Sequence, residues 1–114
     1  MKLKLLKSKI HRATVTEACL DYEGSISIDK YLMKKSGIIN HEKVHVLNVT
    51  TGTRLETYAI PSDKKRDICI NGAAAHLVSP GDLVIIVSYA QMDYDEAKNF
   101  TPQIILLDEN NSVK

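Results

Sequence analysis

Every glycine and proline in this chain stands between short apolar runs. Gly24, Gly37, Gly52, Gly72 and Gly81, with Pro61, Pro80 and Pro102, cut the sequence into pieces too short for a long helix. Within the pieces the side chains alternate, as in Val44, Val46 and Asn48 against His45, Leu47 and Val49. A two-residue period belongs to a strand with one buried face. Residues 2–7 read as a strand and 10–16 as a second strand or its continuation, with His11, Ala13 and Val15 on one side. Residues 26–28 form a short strand. Thr51-Gly52 makes a hairpin between 43–50 and 53–60, and Pro61 is expected to stop the return strand. Strands follow at 67–70, 83–87 and 104–107. The continuous apolar run of 83–87 predicts burial on both faces. Asp29 is a good N-cap for a helix over 30–36 that Gly37 ends. Residues 73–77 make one helical turn, and 93–100 a second short helix closed by Pro102. The polar tail 109–114 is expected to fray. The pattern predicts a mainly β protein, a small barrel with short helices.

The chain has 114 residues, which fits a single domain over 1–114. A deep cleft is hard to build in one subunit of this size, so an active site would borrow a wall from a second. The net charge of +1 gives no basic excess, which argues against nucleic acid. Cys19 and Cys69 have no CxxC spacing and apolar neighbours, so both are expected as free buried thiols in a reducing cytoplasm. The basic N-terminus lacks the apolar core of a signal peptide. No apolar run reaches the ~18 residues of a membrane span, so no membrane partner is expected. His41, His45 and His76 lack ligand spacing, and no metal is expected.

Gly24-Ser25 is an unusual junction to find at the start of a strand. A serine hydroxyl beside a strained upstream carbonyl can attack it and turn the amide into an ester. Glycine would tolerate the strain and leave the carbonyl open. A turn or bulge made of two small residues is the plainer reading of the dipeptide alone.

The surrounding motifs weigh on that choice. They are K-x-H-R at Lys9–Arg12, Val15-Thr16, Y-E-G-S at Tyr22–Ser25, N-V-x-x-G-x-R-x-x-T-Y at Asn48–Tyr58, N-G-A-A-A at Asn71–Ala75, and Gly81-Asp82. In this order and spacing the chain resembles the pyruvoyl-dependent aspartate 1-decarboxylases. Thr51 departs from the pattern, standing where asparagine is commoner before the turn glycine. The resemblance implies a six-stranded double-psi β-barrel assembled as a homotetramer in the cytoplasm. It implies a proenzyme that cuts itself between Gly24 and Ser25, giving a β chain of 1–24 and an α chain of 25–114. Ser25 would become a covalent pyruvoyl group, which forms a Schiff base with L-aspartate and releases CO2 and β-alanine for pantothenate and coenzyme A synthesis. Some members of the family use a maturation factor for the cut.

The resemblance also assigns residues. Gly24 and Ser25 form the cleavage site, and Thr57 assists the oxyanion made there. Ser25 and Tyr58 are catalytic, Tyr58 as proton donor. Lys9, Arg54, Thr57, Gly72, Ala73 and Ala74 would bind substrate. Arg54 offers a planar fork for a carboxylate, and the small 72–74 segment brings backbone N–H groups close. His11 and Asn71 are further candidates: His11 could line the pocket or be a hydrogen-bonded strand histidine. The residues leave other readings open. These are a hydrolase using Ser25 as a free N-terminal nucleophile, a non-enzymatic β-barrel binding module, and a decarboxylase of another amino acid such as glutamate.

Overall fold

A computed structural model describes residues 1–114. Eight strands form along the chain: β1 (Lys2–Thr14), β2 (Glu17–Cys19), β3 (Ser25–Asp29), β4 (Lys43–Asn48), β5 (Arg54–Ser62), β6 (Ile68–Asn71), β7 (Leu83–Asp93) and β8 (Gln103–Leu106). Two helices, α1 (Lys30–Ser36) and α2 (Tyr94–Lys98), and a 3-10 helix over Gly72–Leu77 complete it. The strand order is β2-β6-β3-β5-β4-β7-β1-β8. The ends of this sheet meet, because β1 and β2 are one bent run of chain. Val15 N donates to the Asp82 carbonyl and Thr16 N to the Ile68 carbonyl, and β2 then pairs with β6. The result is a ring of six: β1/β2, β6, β3, β5, β4 and β7, with β8 added outside β1. The pairs β2·β6 and β3·β5 are parallel within an otherwise antiparallel ring. A barrel of this kind is the expected architecture.

The core follows the alternation. Ile10, Ile26, Ile28, Val46, Ala59, Ile68, Ile70, Val84 and Ile86 are completely buried. Each buried isoleucine stabilises the barrel by about 1.5–3 kcal/mol relative to exposure. Asp29 caps α1 by accepting from Tyr31 N at 2.9 Å, and Gly37 closes it in the left-handed region at φ 76°. α1 then buries Leu32 and Met33 on the barrel.

Several expectations are corrected. Of the two readings of residues 10–16 the structure has the continuation: residues 2–14 are one strand, with register shifts at Leu6/Ser8 and Ile10/Ala13. The second shift carries Arg12 at φ 63°, so His11 points away from Ala13 rather than beside it. Pro61 lies inside β5: pairing with β4 ends at Lys43↔Tyr58, so beyond that point β5 has a free edge, where a missing N–H costs little. β7 runs on to Asp93 and is not buried on both faces, because its antiparallel neighbours leave Leu83 and Ile85 partly open. The tail is docked. Asn111 is 3% exposed; its Oδ1 accepts from Thr14 N at 2.7 Å, and its Nδ2 donates to the carbonyls of Thr14 at 2.9 Å and Arg66 at 3.0 Å.

Candidate active site

β3 lies between β6 and β5, so the Gly24-Ser25 junction has a strand on each side. Ile26 and Ile28 point into the core, which turns Ser25 and Ser27 to the opposite face. Antiparallel register sets Ser25 against Asn71 and Ser27 against Cys69. Parallel register sets Ile26 against Ala59. Continued back along both strands, this register makes Ser25 level with Tyr58 after one residue and Gly24 level with Thr57 after two. Alternation puts Tyr58 on the face of Ser25, and Thr57 on the inward face with Leu55 and Ala59.

Ser25 is buried although it follows an exposed loop. Asn71 Nδ2 donates to Ser25 Oγ at 3.0 Å and to Ser27 Oγ at 3.0 Å, and Cys69 Sγ donates to Asn71 Oδ1 at 3.2 Å. Ser25 Oγ is 3.4 Å from the Glu23 carbonyl, to which its proton is directed. The junction is pressed from one side by Gly72. Gly72 has φ +71°, and a Cβ built there would lie 2.6 Å from Gly24 Cα and 2.8 Å from Gly24 N. Gly24 itself does not take a left-handed φ, and a Cβ there would meet nothing within 4 Å. The left-handed conformation belongs to the glycine packed against it, and Gly24 contributes an open carbonyl.

The cationic candidates lie elsewhere. Arg54 is exposed on the face of Tyr58, four residues earlier on β5, or roughly 13 Å along the strand. Lys9 and His11 are half-buried on β1, which pairs with β7 and β8. Cys19 is level with Asn71 and so with Ser25. Lys9 precedes Cys19 by about ten residues of near-continuous extended chain, up to roughly 30 Å, in a molecule 43 × 28 × 26 Å across. Ser25, Asn71, Gly72 and the Tyr58 position gather around β3, whereas Lys9 and His11 lie on β1, which pairs with neither β3 nor its partners β5 and β6. His11 has its pKa lowered by burial first, then by Lys9, Arg12 and Lys114, and its Nδ1 is buried without a partner.

Two residues of the network, Ser27 and Cys69, are not among the sequence candidates. The period of two was the available signal: Ser-x-Ser and Cys-x-Asn on paired strands share a face. Cys69 is buried and free, as expected, whereas Cys19 is free but exposed, because β2 is the ring's most open strand. The thiol of Cys69 is pushed up to about 11 by burial, with Asp67, Glu17 and Cys19 adding to the rise. No helix is long and apolar enough to cross a membrane.

The family model for aspartate decarboxylase matches residues 1–114. An aspartate 1-decarboxylase of Clostridium beijerinckii is 53% identical over 115 residues, covering 100% of this chain and 93% of that protein. One of Campylobacter jejuni is 56% identical over 112 residues, covering 98% and 89%. One of Clostridium kluyveri is 57% identical over 114 residues, covering 99% and 90%.

Proposed function

The chain belongs to the aspartate decarboxylase family, and from that premise we propose that it converts L-aspartate to β-alanine and CO2 with a carbonyl group made from its own Ser25. The observation that carries the reading is the buried Ser25 hydroxyl, held by Asn71 at a Gly-Ser bond against which Gly72 packs without a side chain.

Maturation uses only this chain's atoms and water. Ser25 Oγ attacks the Gly24 carbonyl carbon and the C–N bond breaks. Its electron pair stays on the Ser25 nitrogen, which takes the hydroxyl proton, leaving an ester and a free amine. Removal of the Ser25 α-proton expels the Gly24 carboxylate from Cβ. Water then replaces the nitrogen as ammonia, and residue 25 is left as a pyruvoyl group. Asn71 Nδ2 donates to Ser25 Oγ, the oxygen that leaves Cβ as part of the Gly24 carboxylate and takes up negative charge in the elimination step. Thr57, level with the Gly24 carbonyl, is assigned to the oxyanion there.

The residues present fit such a group. Residue 25 is anchored in β3 by Asn71, so it stays in place after the cut. Gly72 packs directly on Gly24, and the small residues Ala73 and Ala74 follow it in the 3-10 helix. When present, the carbonyl supplies an electron sink for the pair released with CO2, the work pyridoxal phosphate does elsewhere. Tyr58 delivers the proton to the carbon that lost CO2 from its phenol hydroxyl. Arg54 and Lys9 hold the carboxylates of aspartate. Lys9 lies on β1, which pairs with β7 and β8 rather than with β3, and we assign it to the site of a neighbouring subunit. We assign the protein a homotetrameric assembly with sites shared between subunits. Its free cysteines suit a reducing cytoplasm.

Purified protein given L-aspartate is expected to form β-alanine and CO2 in equal amounts, and Ser25→Ala none. An active Ser25→Ala protein, or no product from fully cleaved wild type, would refute the reading.

A further inference from the structure

Asn71 is 3% exposed, and side chains fill both ends of its carboxamide. Its two N–H groups go to Ser25 Oγ and Ser27 Oγ, and its oxygen takes the Cys69 thiol at 3.2 Å. The register builds this: Cys69 and Asn71 sit two apart on β6, against Ser27 and Ser25 on β3. A carboxamide is nearly symmetrical in shape but not in charge. Turned over, it would place its oxygen between the two serine hydroxyls and act as their acceptor. Only the observed orientation aims a donor at the oxygen that gathers charge when the ester is broken and Oγ leaves with the Gly24 carboxylate. It also leaves the Ser25 proton directed to the Glu23 carbonyl rather than to the carboxamide. The group facing Asn71 Oδ1 distinguishes the two ends. A thiol donates, and its sulfur accepts poorly, so Nδ2 turned toward Cys69 would lose most of its bond. Burial keeps this thiol protonated at neutral pH. Glu17, exposed and level with Cys69 on β2, is a competing acceptor for the same proton.

We propose that Cys69 is a positioning residue for self-cleavage, which orients the Asn71 carboxamide so that its N–H faces Ser25 Oγ. The inference rests on the maturation reading above and adds to it a residue that touches none of the reacting atoms.

The test follows cleavage of freshly translated chain over time by denaturing mass spectrometry. Cys69→Ser keeps a donor and loses apolar bulk; Cys69→Val keeps bulk and loses the donor. Losing one hydrogen bond is expected to slow Cys69→Val about fivefold, with Cys69→Ser within about twofold of wild type. Cys69→Ala, smaller than either, is expected to be slow as well and stands in if Cys69→Val does not fold. Glu17→Ala is expected to cleave at the wild-type rate. A packing role reverses the order of serine and valine, and that order overturns the inference alone. So does Glu17→Ala slowed as much as Cys69→Val, since the thiol would then act on Glu17. A wild-type chain that never cuts at Gly24–Ser25 overturns both this inference and the maturation reading.

Discussion

Tyr58 stands one strand from Ser25 and is 37% exposed, with His41 edge-on at 6.0 Å between ring centroids. That placement gives a phenol on the open side of the site, away from the core and from the maturation contacts made by Asn71. Tyr58→Phe is therefore expected to cleave normally and to lose turnover by about 10²-fold or more, the usual range for a proton donor. Cleavage measured on a gel beside β-alanine formation checks it, and full turnover in the phenylalanine variant would remove Tyr58 from the role. Ser25, Tyr58 and Asn71 were legible in the sequence because each falls in a motif of the resemblance. The source of the close packing was not: Gly24 and Gly72 are both glycines next to polar residues, and only the fold shows that Gly72 carries the left-handed φ and presses on Gly24. Ser27 and Cys69 escaped for a different reason. Their contribution depends on which strands pair, and strand partners far apart in sequence leave no local mark.

Among the elements, strands with one wet face were the most legible, since alternation reports burial directly; Lys43–Asn48 buries Val44, Val46 and Asn48 as its pattern predicts. α1 was equally plain from its cap and its closing glycine. The element boundaries that differ were set by neighbours. β5 passes through Pro61 because its partner β4 has already ended, and β1 continues through two bulges because β7 continues beside it. The tail looked disordered by composition, yet Asn111 makes three hydrogen bonds to main-chain atoms of Thr14 and Arg66. It sits at φ 61°, a conformation asparagine accepts more readily than most residues. Asn111→Ala leaves those buried main-chain groups without their partner and is expected to cost about 1–3 kcal/mol. Denaturant unfolding of the purified variant measures this, and an unchanged midpoint would mean that the tail does not hold β1 to the loop before β6.

At the scale of the whole molecule, the candidate residues divide into two groups. Ser25, Asn71, Gly72 and Tyr58 gather around β3, while Lys9 and His11 sit on β1. If each site takes Lys9 from a neighbour, a Lys9→Ala chain and a Ser25→Ala chain, each inactive alone, should complement when co-assembled. Random mixing of equal amounts would restore about a quarter of the sites, because each site needs one intact contribution from each of two subunits. Absence of any recovered β-alanine formation in a confirmed mixed tetramer would mean that Lys9 serves the site of its own chain rather than a neighbour's. The central claim is nevertheless a covalent one, that the chain opens at Gly24–Ser25 and converts Ser25 into a carbonyl. An intact mass spectrum under denaturing conditions reads it directly. The account expects two fragments, 1–24 and 25–114, with the larger one lighter by one ammonia than plain hydrolysis would give. A larger fragment at the plain-hydrolysis mass, or a single uncut chain, would contradict it.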